Sequence, residues 1–212
     1  MHWRWGNFAA LVSCLAAMAG CIMLAHKEEP ASLEEPASLV VETAPAAQPV
    51  FAMRVNAGMN EPYTDKSGEP WLPDQIYEEG EKYGFVPGEG GGTVDRGTSV
   101  QIEGTDDPRI YQTERWLMET FVAVVPNGKY TVILHFAETY PEIGTDGPRV
   151  FDVSIEGKPV LTDFDVSKTA GGVQKAVVKK FPGVEVSDGK LEIGFVRKQQ
   201  NPEINGIEIL AE

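Results

Sequence analysis

Residues 119 to 137 read ETFVAVVPNGKYTVILHFA. Two runs rich in Val, Phe, Ile and Leu flank Asn127-Gly128, and the glycine accepts the positive φ of a tight turn that branched residues resist. The pattern predicts two strands, Glu119 to Val125 and Lys129 to Ala137, joined by that turn. Outward from it the same signature repeats. Glu156-Gly157 and Asp188-Gly189 also separate short runs, and Phe51 to Asn56, Thr98 to Glu103, Arg149 to Ile155, Val173 to Phe181, Val184 to Val186, Leu191 to Val196 and Ile204 to Leu210 complete the set. About nine short strands with no amphipathic helix of about 12 residues predict an all-β, antiparallel β-sandwich. Gln112 to Met118 is expected to form a helical turn at most.

Residues 57 to 97 break this rhythm. Nine glycines and four prolines interrupt them, yet Tyr63, Trp71, Tyr77, Tyr83 and Phe85 are too many rings for a solvated chain. They are expected to form an ordered, Gly-rich loop layer at one end of the sandwich.

The segments before this domain read differently. In residues 1 to 26, Arg4 precedes an apolar stretch, and Met18-Ala19-Gly20-Cys21 looks like a bacterial lipobox, which would lipidate Cys21. Two alternatives stay open: a simple signal peptide, or an uncleaved anchor, since Phe8 to Ala25 spans roughly 27 Å as a helix. Every version exports the chain to the cell envelope. Residues 27 to 49 repeat Glu-Glu-Pro-Ala-Ser-Leu twice and continue in Ala and Pro, the composition of an extended linker reaching on the order of 70 Å. The folded domain is expected over residues 50 to 212.

Charge and cysteine content exclude several chemistries. The chain of 212 residues carries a formal charge of −14, so the basic footprint of a nucleic-acid binder is missing. Residues 50 to 107 hold twelve acidic and four basic side chains, so the acidity concentrates in the Gly-rich region and disfavours anionic ligands there. Cys14 and Cys21 are the only thiols, which leaves the domain without cysteine chemistry. Nothing implies a cofactor. No metal site is expected either: His135 is alone in an apolar strand, and Asp106-Asp107 and Asp163-Phe164-Asp165 supply too few oxygens for calcium. Gly88-Glu89-Gly90-Gly91-Gly92 lacks the Lys and Ser/Thr of a phosphate loop and leads into no helix. Glu114, Glu138 and Asp152 lie in or beside apolar strands and are the candidates for a glycosidase acid pair.

Rings beside polar groups are more informative. Tyr111-Gln112-Thr113-Glu114-Arg115-Trp116 and Ala137-Glu138-Thr139-Tyr140 combine aromatic faces with hydroxyl-binding groups, the mixture a pyranose needs. These segments, with Met53-Arg54-Val55-Asn56-Ala57-Gly58, Asp74-Gln75-Ile76-Tyr77, Arg149-Val150-Phe151-Asp152-Val153 and Asn201-Pro202-Glu203-Ile204-Asn205-Gly206, closely resemble malectin domains over residues 52 to 210. The resemblance implies a galactose-binding-like jelly roll that binds carbohydrate without cleaving it. The animal member of that family recognises glucose oligosaccharides, and bacterial members are often appended to glycoside hydrolases, a possible partner here. Carried over residue by residue, Tyr83, Tyr111 and Tyr140 match the family's site tyrosines, and Gln200 stands where its acid precedes the Asn-Pro pair. The expected ligand is a neutral glycan read by Tyr83, Tyr111, Glu114, Tyr140, Gln200 and Asn201. Two alternatives are kept: a surface protein-interaction or structural sandwich, and a hydrolase using Glu138 or Glu114.

Overall fold

The computed structural model describes residues 50–143 and 147–212. The expectations for residues 1 to 26 and 27 to 49, Cys21 included, lie outside the described residues.

Twelve strands lie among the described residues: β1 (Ala52–Asn56), β2 (Tyr63–Thr64), β3 (Pro70–Trp71), β4 (Tyr83–Asp95), β5 (Thr113–Val124), β6 (Gly128–Phe136), β7 (Val150–Ile155), β8 (Lys158–Asp165), β9 (Val177–Val186), β10 (Lys190–Gln199), β11 (Glu203–Ile204) and β12 (Gly206–Ala211). One sheet has the order β1-β12-β6-β9 and the second the order β11-β5-β10-β7-β8, with β4 on the other edge of β5; β2 and β3 form a separate hairpin. Every pairing between these strands is antiparallel. Alternate residues of the two larger sheets meet in one core, where Val132, Leu134, Phe136, Ile207 and Ile209 face Phe85, Phe121, Phe151, Ile193 and Phe195. Phe136, Phe151 and Phe164 pack as mutually tilted rings with centroids 5.0 to 6.1 Å apart.

Of the three glycine turns expected between strands, one closes a hairpin: β5 and β6, and likewise β9 and β10, lie in different sheets, so Asn127-Gly128 and Asp188-Gly189 carry the chain between sheets, and Gly128 does not take the expected positive φ. Glu156 and Gly157 both take positive φ, 52° and 68°, the conformation of a two-residue hairpin loop between β7 and β8. Asp165 caps the five-residue helix α1 (Val166–Ala170) by accepting from the Lys168 amide at 2.9 Å.

Four other local expectations are corrected. Gln112 to Met118 is not a helical turn; it is the first half of β5, entered from a 3-10 turn at Pro108–Tyr111. Thr98 to Glu103 is no strand: Ile102 and Val100 pack instead in a satellite cluster with Trp71, Ile110, Tyr111 and Ala137. The Gly-rich layer contains β4, thirteen residues long. Strand β8, unannounced by the apolar pattern, closes one edge with mostly exposed or half-buried residues.

The glycine run makes a bulge in β4. Pairing with β5 skips from Pro87 opposite Met118 to Gly92 opposite Trp116. Across from the loop, Leu117 holds a positive φ of 51°, and its amide donates to the Pro202 carbonyl at 2.8 Å. A Cβ on Gly91 would lie 2.3 Å from the Leu117 carbonyl oxygen, so only glycine fits there. The run is a packing device, and it sets the path of β5 beside Trp116.

Candidate functional site

The first half of β5 has an unusual interior. Thr113, Glu114 and Arg115 are all buried, and each is satisfied by a partner remote in sequence. Thr113 donates its hydroxyl to Asn56 Oδ1 at 2.7 Å. Arg115 forks onto Asp74, with Nε to Oδ2 at 2.9 Å, and its guanidinium lies over the Phe85 ring. Glu114 points to the other face, where Oε1 accepts from Arg96 at 3.1 Å and Oε2 from the Thr139 hydroxyl. Trp116 lies two residues further on the same face as Glu114, against Gly92.

Two more segments close around this face. The chain leaving β6 carries buried Glu138, which is gripped by Arg149 just before β7: Nε to Oε2 is 2.7 Å and Nη2 to Oε1 is 3.3 Å. Glu138 Oε1 also accepts from the Tyr140 amide at 2.9 Å, which sets the position of the Tyr140 residue. The third guanidinium nitrogen of Arg149 donates to the Asn201 carbonyl, tying down the turn between β10 and β11. In that turn Gln200 has a positive φ of 58°.

These segments enclose a cavity of about 330 Å³ lined by Val94, Arg96, Glu114, Trp116, Tyr140, Arg149, Gln200 and Asn201. Trp116 and Tyr140 are half-buried and supply ring surface. Arg96, Gln200 and Asn201 supply donors and acceptors for a hydroxylated ligand. Each arginine of the cavity is paired with a carboxylate, so the lining holds no uncommitted cation.

Four of the six residues expected from sequence therefore come together here: Glu114, Tyr140, Gln200 and Asn201. Tyr83 and Tyr111 do not. Tyr83 is in the main core, donating its hydroxyl to the Pro73 carbonyl at 2.9 Å. Tyr111 is buried in the satellite cluster with its hydroxyl 2.8 Å from His135 Nδ1. Burial, with the charges of Glu208 and Asp107 adding to it, raises the Tyr111 hydroxyl above the ordinary tyrosine range, so it stays neutral. Neither ring lines the cavity. Trp116 and Arg149 were missed, although both lie inside quoted motifs.

The remaining candidates are engaged elsewhere. His135 bonds Glu208 at 2.9 Å, and Glu208 continues to Arg54 at 2.9 Å, a half-buried chain that starts against Trp71. Asp107 accepts from the Tyr63 hydroxyl and, at 2.8 Å, from the Lys66 amide. Asp152 accepts from the Asp163 amide at 2.8 Å and pairs with Lys198 at 3.1 Å. Among the described residues no group of three or more His, Cys, Asp or Glu side chains is arranged to hold a metal ion.

Glu203, on β11, registers opposite Trp116 and is completely buried. Burial foremost, and the nearby Glu114, push its carboxyl well above the ordinary carboxylate range, against the opposing pull of Arg149.

The family description that matches this chain is "Malectin domain", over residues 51–207. A probable leucine-rich repeat receptor-like serine/threonine-protein kinase of Arabidopsis thaliana is 32% identical over 169 residues, which are 68% of this chain and 16% of that protein. Malectin of Mus musculus is 33% identical over 121 residues, 50% of this chain and 41% of the relative. Among solved structures, a Bacteroides uniformis beta-glucuronidase superposes with a TM-score of 0.66 and 26% identity, over 76% of this chain and 18% of that one. The ANXUR1 extracellular domain of Arabidopsis thaliana shares the fold at a TM-score of 0.60 and 17% identity, over 75% of this chain and 47% of its own. The chain spans less than half the length of each of these four proteins. On the match over residues 51–207, the chain belongs to the malectin domain family.

Proposed function

We propose that this domain is a non-catalytic carbohydrate-binding module, that a neutral oligo- or polysaccharide occupies the cavity between Trp116 and Tyr140, and that the exported chain is tethered to the membrane through its N-terminus, by a lipid on Cys21 or by an anchor. One observation carries the reading. In a malectin-family domain, a cavity of about 330 Å³ offers two half-buried rings beside a polar lining whose arginines are already neutralised. A sugar stacks its C–H face on a ring and presents its hydroxyls to such a rim. A uronate or sulfated sugar calls for an unpaired guanidinium, and the lining holds none.

The hydrolase alternative has less support. Glu114 and Glu138 are each held by an arginine, while the acid with a strongly raised pKa, Glu203, is fully buried. A general acid has to reach the glycosidic oxygen. The domain's match to 18% of a beta-glucuronidase chain accords with a module that accompanies a glycoside hydrolase.

An array of neutral and anionic glycans tests the proposal. Burial of an aromatic ring is worth about 1.5–3 kcal/mol, so Trp116→Ala or Tyr140→Ala should weaken binding of a retained neutral glycan by roughly ten- to hundredfold. Tyr83→Phe and Tyr111→Phe should leave it unchanged. An array empty of glycans would return the domain to the protein-interaction reading.

A further inference from the structure

The charged floor of the cavity comprises Glu114, Arg96 and Arg149, which line it, and the buried Glu138 and Glu203, which interact with them without lining it. Glu114 is committed to Arg96 and Glu138 to Arg149. Glu203 is the odd member. Its side chain is buried by β5 and faces charged groups from every neighbouring segment: Glu114 on β5, Arg96 after β4, Glu138 after β6 and Arg149 before β7. Neither of its oxygens has a hydrogen-bond partner among the described residues, and the neighbouring Asn201 Oδ1 is likewise buried and unpaired.

An ionised Glu203 would be a third anion with no counter-charge of its own. Burying such a group costs several kcal/mol, because water is lost and no donor replaces it. The cheapest relief is for Arg96 or Arg149 to swing toward it, which breaks the Glu114 or Glu138 pair and moves Thr139, Tyr140 and Asn201. A protonated Glu203 leaves two acids matched to two arginines, and the floor is neutral.

We propose that Glu203 is a positioning residue whose proton holds the two arginine pairs in place beneath Trp116 and Tyr140, so that ligand binding is linked to one proton and weakens as pH rises. The proposal rests on the carbohydrate reading of the cavity and adds a regulator to it. The direction follows from linkage. The folded carboxyl keeps its proton above the range in which the unfolded chain ionises, so both fold and site are favoured at lower pH and lose support as pH climbs through the raised value.

The experiment measures retention of the full-length chain on immobilised amylose and on an immobilised β-1,3-glucan from pH 5 to pH 9, beside Glu203→Gln, which keeps the shape without the charge. Wild type should lose about tenfold in affinity per pH unit once Glu203 ionises, and the variant should stay flat. Flat or parallel curves overturn the proposal. If neither glucan is retained at any pH, the glucan reading fails by itself and ligand-free melting decides the proton. Wild type should then lose melting temperature relative to Glu203→Gln as pH rises, and coincident curves overturn the proposal. If the variant does not fold, the 13C carboxyl shift of Glu203 in wild type, followed as pH rises, should change to the ionised signature only above the range in which the exposed glutamates titrate; titration within that range overturns it.

Discussion

Arg149→Met tests whether one guanidinium holds the cavity together. Arg149 is buried and makes three contacts at once: two to Glu138, at 2.7 and 3.3 Å, and one to the Asn201 carbonyl. Methionine keeps most of the stem volume but strands the Glu138 carboxylate, whose remaining donor is the Tyr140 amide. Breaking a buried pair from one side costs about 3–5 kcal/mol, chiefly through the uncompensated charge. For a domain of this size each kcal/mol moves the melting temperature by about 2–4 °C, so a fall of roughly 6–20 °C is expected. Urea unfolding followed by Trp fluorescence measures the free energy, and differential scanning fluorimetry the midpoint. Arg149→Met with Glu138→Gln removes the stranded charge and should recover most of the loss. About 1 kcal/mol should stay missing, for the Asn201 carbonyl left without its donor. A single variant within 2 °C of wild type, or a double variant as unstable as the single one, would refute the argument that charge compensation is what Arg149 provides.

Two other outcomes probe the frame and its electrostatics. Gly91→Ala places a methyl 2.3 Å from the Leu117 carbonyl, so it should destabilise by about 1–3 kcal/mol in urea unfolding and shift Trp116 emission; unchanged unfolding would show that the bulge yields freely. Hydrogen bonds from Arg109 hold Asp95 down to about 2, so its contribution is present above the ordinary carboxylate range and fades as pH falls from about 4 toward 2. Wild type should therefore lose stability relative to Asp95→Asn in that window, modestly because Asp95 is half exposed, and identical slopes would contradict the assignment.

Where the fold was legible, the physics was local. Glu156-Gly157 marks the β7–β8 hairpin because backbone geometry at a tight turn acts on those residues alone, and Asn127-Gly128 and Asp188-Gly189 mark turns at which the chain crosses from one sheet to the other. Strands such as β7 and β10 alternate because one side is core and the other is exposed or half-buried. The misread elements lack that contrast. Five of the thirteen residues of strand β4 are glycines, which carry no pattern, and β8 lies at a solvated edge. In Thr98 to Glu103 alternation is present without a strand, because Val100 and Ile102 bury themselves in a satellite cluster that needs no sheet.

The site was legible to the extent that the fold beneath it was. A helical turn over Gln112 to Met118 puts Tyr111, Glu114 and Trp116 in no fixed relation, and the resemblance, which assigns Tyr83, Tyr111 and Tyr140 together, does not separate buried rings from half-exposed ones. As a strand the same residues divide by parity: Glu114 and Trp116 share one face, while Thr113 and Arg115 turn to Asn56 and Asp74 on the other. Tyr111 belongs to the preceding 3-10 turn and goes into the satellite cluster. Three consecutive buried polar residues, Thr113, Glu114 and Arg115, hid the strand, since a polar run in isolation reads as exposed. Their partners, Asn56, Asp74, Arg96 and Thr139, stand 18 to 57 positions away. Only closure of the sheets brings those charges together, and the same closure that satisfies Glu114 and Glu138 leaves Glu203 without a hydrogen-bond partner among the described residues. The residue least visible from sequence is thus the one on which the electrostatics of the cavity turn.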